Sequence, residues 1–271
     1  MKIFDDLKGI TSACRESAAS GSLGFVPTMG AIHEGHLSLV RQAQKHCDTV
    51  AVSIFVNPLQ FGPDEDLKAY PQPLKNDTSL LKDAGVDLLL VLSSEEMYPE
   101  GFTTRVVQGD AMKILEGASR EGHFEGVLTV VAKMFSIVRP HQAYFGQKDF
   151  QQSVLIRRMT SDLNLETEIV QCDTVRESDG LALSSRNTYL GEEDRRKALG
   201  LVGSLIAAEQ CFQAGERSAN RLEQTLRTAF AEESGVAVDY ARIVDDGLRF
   251  PQEIHEGHVA VVAAWIGSTR L

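Results

Sequence analysis

The sequence has only four cysteines, and no two of them stand close together: Cys14, Cys47, Cys172 and Cys211. That spread speaks against a disulfide framework or a zinc site. Scattered thiols suit a reducing compartment. No apolar run approaches the roughly 20 residues of a membrane-spanning helix. Met1-Lys2-Ile3-Phe4-Asp5-Asp6 carries acid where a signal peptide needs an apolar stretch. The expectation is a cytoplasmic protein with no membrane partner. A basic excess is missing too: 38 acidic against 27 basic side chains leave a net charge of −11. That balance excludes a nucleic-acid partner of the usual kind, which needs a basic face. It does not exclude a nucleotide, because an acidic protein can hold a local basic pocket. No Gly-x-Gly-x-x-Gly follows the first apolar run, which argues against a dinucleotide site. Gly117 and Gly122 have the spacing of a P-loop, but His123 and Phe124 stand where Lys and Ser/Thr are required. There is no internal repeat and no low-complexity tract.

What is there is enough apolar material for a core, 43% of residues, in an alternating pattern. Helices are expected over 4–20, 35–47, 74–84, 127–138 and 150–161. Short apolar strands are expected at Leu23–Val26, Thr49–Val56, Val86–Val91, Ala143–Phe145 and Thr167–Val170. The 49–56 run is β-branched nearly throughout, as in a strand buried on both faces. Strand–helix–strand succession means right-handed parallel βαβ units. Residues 94–108 read as a short helix and an outlying extended segment. Asp64 to Pro71 reads as a polar loop, and Leu115 to Gly126 as a loop whose glycines would let it wrap a ligand. After residue 174 the alternation stops. Two helices near 192–213 and 218–233, then strands near 237–244 and 258–265, form an α+β pattern. The expected organisation is α/β, with domains 1–174 and 175–271.

The stretch Leu23 to Leu37 is a strand, a turn and a helix start. In an open α/β sheet, ligands bind at the carboxyl ends of strands. A helix N-terminus offers unpaired N–H groups that suit phosphate. Gly30 and Gly35 would allow close backbone approach. His33 and His36 would lie on one side of the first turn. They read as phosphate donors, as a metal pair without its third ligand, or as exposed turn histidines. A protonated imidazole would stabilise a departing phosphate. The second strand ends in Asn57-Pro58-Leu59-Gln60, which sets two amides at the same sheet end. Lys148 and Asp149 follow the Ala143–Phe145 strand. Asp149 is a helix cap or a ligand contact, and Lys148 a surface charge or a phosphate contact. Ser184, Ser185 and Arg186 read equally as loop residues or as functional ones. His46, His141, His255 and His258 have no such context.

Five blocks in order carry a resemblance over most of the chain: Pro27 to His36, Phe55 to Phe61, Glu116 to Arg120 with Gly122 to Phe124, Phe145 to Gln152, and Asp179 to Asn187. Together they resemble the pantothenate synthetase (pantoate–β-alanine ligase) family, within the His-x-Gly-His nucleotidyltransferase superfamily. The resemblance implies a Rossmann-like parallel-sheet domain with a smaller α+β domain after it. It implies condensation of pantoate with β-alanine through a pantoyl adenylate, consuming ATP with Mg2+ and releasing AMP and pyrophosphate, in a homodimer. ATP contacts are then expected from Pro27, Thr28, Met29, Gly30, His33, Gly35 and His36, and from Gly146, Gln147, Lys148 and Asp149. Val175, Leu183, Ser184, Ser185 and Arg186 complete that set. His36, His33, Lys148, Ser184, Ser185 and Arg186 are the expected catalytic groups, with no protein metal ligand implied. Gln60, Gln152, Asn57, Tyr70, Arg120 and His123 belong to the acid-substrate side. Gln147 and Ile32 depart from the commonest family residues without touching a charged contact. Two rivals differ in their chemistry. A nucleotidyltransferase acting on a phosphate monoester would call for more cations than Gln60 and Gln152 provide. A non-catalytic nucleotide module would need fewer cations than this chain carries.

Overall fold

The computed structural model describes residues 1–63, 65–228 and 235–271. The chain divides into two units, Met1–Val175 and Arg176–Leu271.

In the first unit six short strands line up as a sheet: β1 (Lys2–Phe4), β2 (Leu23–Thr28), β3 (Thr49–Ile54), β4 (Leu88–Val91), β5 (Gln142–Gly146) and β6 (Glu168–Cys172). Their order is β1-β4-β3-β2-β5-β6, and every pair is parallel. Helices α1 (Leu7–Ser20), α2 (Glu34–His46), α3 (Leu74–Asp83), α4 (Ser94–Met97), α5 (Glu116–Ser119), α6 (His123–Val138) and α7 (Phe150–Asp162) fill the connections. Leu39, Val40 and Ala43 of α2 and Leu81 of α3 meet Val50, Val52, Ile54 and Leu89 in one core cluster. Side chains alternate along a strand. Ser53, between Val52 and Ile54, therefore faces the other way, toward Met134 of α6. From β2 the chain builds outward through β3 and β4, then returns to β2's other side with β5 and β6. The reversal falls between β2 and β5, so their carboxyl ends frame the crevice where such sheets bind ligands.

The expected helix over 4–20 is corrected at its start. Asp6 caps α1 by accepting from the Gly9 N–H at 2.7 Å, so the helix begins at Leu7. Lys2–Phe4 is left to run as β1 beside β4. The glycine-bearing stretch from Leu115 to Gly126 is also corrected, since most of it is helical. Gly122 takes a left-handed conformation (φ +80°), which lets α6 begin at once at His123. Residues 102–107 pair with no strand among the described residues; the Val106 N–H donates instead to Thr129 Oγ1 on α6.

The second unit holds α8 (Glu192–Gln213), α9 (Ala219–Thr228), β7 (Val236–Val244), β8 (Val259–Ile266) and β9 (Thr269–Arg270). The three strands form an antiparallel sheet in the order β7-β8-β9. Leu222 and Leu226 of α9, Ala208 of α8, and Ala241 and Ile243 of β7 make its core. Helix α8 opens with Glu192, Glu193 and Asp194, acid at the positive end of its dipole. Asp64 of the expected polar loop, and residues 229–233 of the expected last helix, lie outside the described residues. Among the described residues no helix is long and apolar enough to cross a membrane.

Candidate active site

At the carboxyl end of β2 the chain makes a turn that only a few residues tolerate. Gly30 has φ +88° and Ala31 φ +50°. For alanine that region costs free energy. The turn is held from α3: buried Asp77 accepts from the Ala31 and Ile32 N–H groups, both at 2.8 Å. Thr28 Oγ1 ties the same turn to β3 by donating to the Ser53 carbonyl at 2.7 Å and accepting from the Gly30 N–H. The hydroxyl of Thr28, expected among nucleotide contacts, is thereby spent on the turn. Asp77 was not among the expected site residues, and nothing in its local sequence marks it.

The two histidines then cap α2. His33 Nδ1 accepts from the Gly35 N–H at 3.1 Å, and His36 Nδ1 accepts from the His33 N–H at 3.4 Å. A ring nitrogen that accepts carries no proton. In each neutral imidazole the proton is therefore on Nε2, across the ring from the helix backbone. The rings stack with centroids 4.0 Å apart. His36 is enclosed by protein yet keeps part of its surface open. Burial, and then the neighbouring His33, push its pKa down to about 3; Asp149 opposes this shift and Lys148 adds to it. His36 is neutral and presents an uncharged N–H.

The same charges place the turn after β5 beside the histidines. Gly146 ends β5, and Gln147–Asp149 form a single 3-10 turn leading into α7. Asp149 occupies the helix-cap position, but its carboxylate caps nothing. It pairs with Lys148 at 3.4 Å, and both side chains are partly open to solvent. Lys148 brings a cation within electrostatic reach of the neutral His36 ring.

The amide cluster follows β3. Gln60 is half-buried, and its Nε2 lies 3.2 Å from the sulfur of Met29. The ATP-side and acid-side segments named from sequence thus meet. Asn57, expected as a substrate contact, is 1% exposed. Its Oδ1 accepts from the Leu59 N–H and the Tyr98 hydroxyl, and its Nδ2 donates to Gln60 Oε1 and the Gly126 carbonyl. Those four bonds use the whole hydrogen-bonding capacity of a primary amide.

Arg120 and His123, expected to wrap a ligand, turn onto the chain itself. Arg120 grips Glu65 through Nε at 2.7 Å and Nη2 at 2.6 Å, and Glu116 through Nη1 at 3.0 Å. Its Nη2 also donates to the Gln60 carbonyl at 3.3 Å, and His123 Nδ1 lies 2.9 Å from the same oxygen. Burial alone would raise the Glu65 pKa, but the Arg120 hydrogen bonds and charge hold it below the ordinary value. Burial and the Arg120 charge lower the His123 pKa to about 4, so that ring is neutral and donates to the carbonyl. Arg120 and His123 brace the backbone of Gln60. Tyr70 is buried edge-on to Phe61. Gln152 stands half-buried on α7. Its neighbour Gln151 points inward and fastens the 111–116 segment through Ala111, Ile114 and Glu116. Val175 ends the first unit, half-buried.

In the second unit Leu183 leads into a 3-10 turn at Ser185–Tyr189, where Ser184 Oγ accepts from the Arg186 N–H. Asn187 ties that turn to Glu177, which Arg195 of α8 also holds. Among the described residues no group of three His, Cys, Asp or Glu side chains is arranged to hold a metal ion.

The family profile described as pantoate-beta-alanine ligase matches residues 2–271. The pantothenate synthetase of Pseudothermotoga lettingae is 47% identical over 272 residues, covering 100% of this chain and 96% of that protein. The pantothenate synthetase of Acidobacterium capsulatum is 52% identical over 257 residues, covering 94% and 86%. The crystal structure of pantothenate synthetase from Thermus thermophilus superposes with a TM-score of 0.95 at 44% identity, covering 100% and 97%. Pantoate-beta-alanine ligase from Francisella tularensis, solved with β-γ ATP and β-alanine, superposes with a TM-score of 0.82 at 35% identity, covering 100% and 95%. A parallel sheet with its turn of paired histidines, matched in sequence and fold along the whole chain, establishes that this chain belongs to the pantoate-β-alanine ligase family.

Proposed function

We propose that this enzyme condenses pantoate with β-alanine in two steps, with the magnesium salt of ATP as the activating substrate. In the first, a pantoate carboxylate oxygen attacks the α-phosphorus. A P–O bond forms to pantoate, the bond to the β-phosphate breaks, and pyrophosphate leaves with pantoyl adenylate remaining. In the second, the β-alanine amine attacks the acyl carbon. The C–O bond to AMP breaks, the amine loses a proton, and pantothenate is released.

The observation that carries this reading is the meeting of His36, Lys148 and Asp149 at the β2/β5 crevice, with Gln60 against Met29 beside them. Both first-step reactants are anions. Lys148 offsets their repulsion, and the Nε2–H groups of His33 and His36 donate to phosphate oxygens. A polyphosphate beside His36 raises its pKa, because an anion favours the imidazolium. The 3.4 Å contact from the His33 N–H opens as Nδ1 takes the second proton, and Nε2 then gives its proton to the leaving pyrophosphate. Gln60 and Gln152 hold pantoate without adding charge. No side-chain nucleophile is required, so catalysis is positioning plus electrostatics. The Francisella relative, solved with an ATP species and β-alanine, supports both substrates. The same reading carries a cytoplasmic homodimer with it.

The test is incubation with ATP, Mg2+ and pantoate, with and without β-alanine, following AMP. AMP release that depends on pantoate and speeds up with β-alanine is the expected result. No AMP under any condition would overturn the reading.

A further inference from the structure

A glutamine amide has two ends of opposite character. Its oxygen only accepts, and its nitrogen only donates. Which end faces a carboxylate-bearing substrate decides whether the contact attracts or repels. At Gln60 the fold makes that choice through main-chain groups of fixed polarity. The Leu59 N–H can only donate, so the Asn57 atom 3.2 Å from it is the oxygen. The Gly126 carbonyl can only accept, so the Asn57 atom 3.2 Å from it is the nitrogen. Two opposite main-chain groups thus fix the Asn57 amide independently. The Tyr98 hydroxyl adds a third constraint by donating to the same oxygen at 2.7 Å. The remaining hydrogen on Asn57 Nδ2 points at the Gln60 side chain, 2.9 Å away. The Gln60 atom that receives it must be Oε1. Gln60 Nε2 is then turned to the other side, where among the described residues it meets only the Met29 sulfur at 3.2 Å. A thioether is a weak acceptor that a carboxylate or hydroxyl oxygen easily replaces.

We infer that Asn57, backed by Tyr98, is a positioning residue that sets the polarity of Gln60, so that Gln60 offers an NH2 group to an oxygen acceptor of the acid substrate. This rests on the reading of Gln60 as a pantoate contact. Asn57 does not touch the substrate itself, because its four hydrogen-bonding positions are filled within the chain. The relay also defines what Gln60 accepts: a carboxylate or a hydroxyl oxygen, and not a group that can only donate, such as an ammonium. Tyr98 suits its place at the far end. It packs between Phe55 and Phe102, and burial pushes its pKa well above the ordinary range, so the hydroxyl keeps its proton.

The test is a set of variants read by kcat/KM for pantoate, by KM for ATP, and by melting temperature. Gln60→Glu at pH 8 keeps an oxygen toward Asn57 and replaces the outward NH2 with an ionised oxygen. It should lower kcat/KM for pantoate at least tenfold further than Gln60→Ala does. A Gln60→Glu enzyme as active as the wild type would mean that Gln60 presents its oxygen, and would overturn the inference. Asn57→Ser keeps a hydroxyl that caps the Leu59 N–H but cannot reach Gln60. It should lower kcat/KM for pantoate about tenfold with KM for ATP within twofold, and should add less than twofold when Gln60 is already alanine. The same loss in both backgrounds would show Asn57 acting independently and would also overturn it. Should Asn57→Ser fail to fold, Tyr98→Phe replaces it: a twofold to fivefold loss that vanishes in the Gln60→Ala background supports the relay, and a loss retained there refutes it. If Gln60→Ala leaves kcat/KM for pantoate unchanged, the pantoate reading of Gln60 falls first and takes this inference with it.

Discussion

At the residue scale, the site depends on side chains whose hydrogen bonds are made within the chain. Asp77 satisfies two buried N–H groups of a turn with two consecutive residues at positive φ. Removing the carboxylate strands both donors, at about 1–3 kcal/mol each. Asp77→Ala is expected to raise KM for ATP at least tenfold and lower the melting temperature. Asp77→Asn keeps one acceptor and should recover part of both, as steady-state kinetics and thermal melts would record. His123 gives a pH dependence whose sign follows from its lowered pKa. In the folded state it protonates at about 4; unfolded, near the ordinary 6.5. Between those values the unfolded chain binds the extra proton, so stability falls as pH falls. Its contribution is complete above about 6.5 and shrinks by roughly 1–2 kcal/mol on going to pH 5. Urea midpoints at pH 7 and pH 5 should show that loss, and His123→Asn should reduce it. His36 acts in the same direction.

At the element scale, the decisive contact is α6 against the Pro58–Gln60 turn. Gly126 is where the two backbones touch. A Cβ there would come within 2.2 Å of the Leu59 carbonyl oxygen and 2.6 Å of the Gln60 nitrogen. Gly126→Ala must push the turn away from the helix, and Gln60 with it. The expected cost is about 1–3 kcal/mol of stability, with a larger fall in kcat/KM for pantoate than in that for ATP. Kinetics on both substrates check it; equal falls would mean general unfolding. The Arg120–Glu65 bridge and His123 clamp the same turn from α5 and the start of α6. Two helices, α6 and the end of α5, therefore converge on the backbone of Gln60, which suits a side chain that must hold a fixed direction.

At the scale of the whole molecule, each unit has a core of its own. Leu226 is fully buried in the second, against Ala241 and Ile243. Leu226→Ala should cost that unit about 2–5 kcal/mol. Separate cores open separately. Hydrogen exchange should therefore accelerate across β7 and β8 while amides of β2 and β3 keep most of their protection. Equal acceleration in both sheets would show one cooperative unit instead.

The sequence by itself determined what depends on neighbours a few residues apart. The β-branched run of β3, the helix near 192–213 and the helix start at the two histidines were all legible from local pattern. So was the family, from blocks of residues in order. Local pattern misplaces the starts of α1 and α6, because Asp6 and Gly122 each act through one local bond or one φ angle that periodicity does not register. Tertiary structure alone decided which polar groups face the crevice. Asp77 meets Ala31 across 46 residues, Tyr98 meets Asn57 across 41, and Arg120 meets Glu65 across 55. The resemblance placed Asn57 beside a ligand with the Gln60 block, and Arg120 with its glycine-rich loop. In the fold both side chains find their hydrogen bonds within the chain, because a buried amide or guanidinium must fill them.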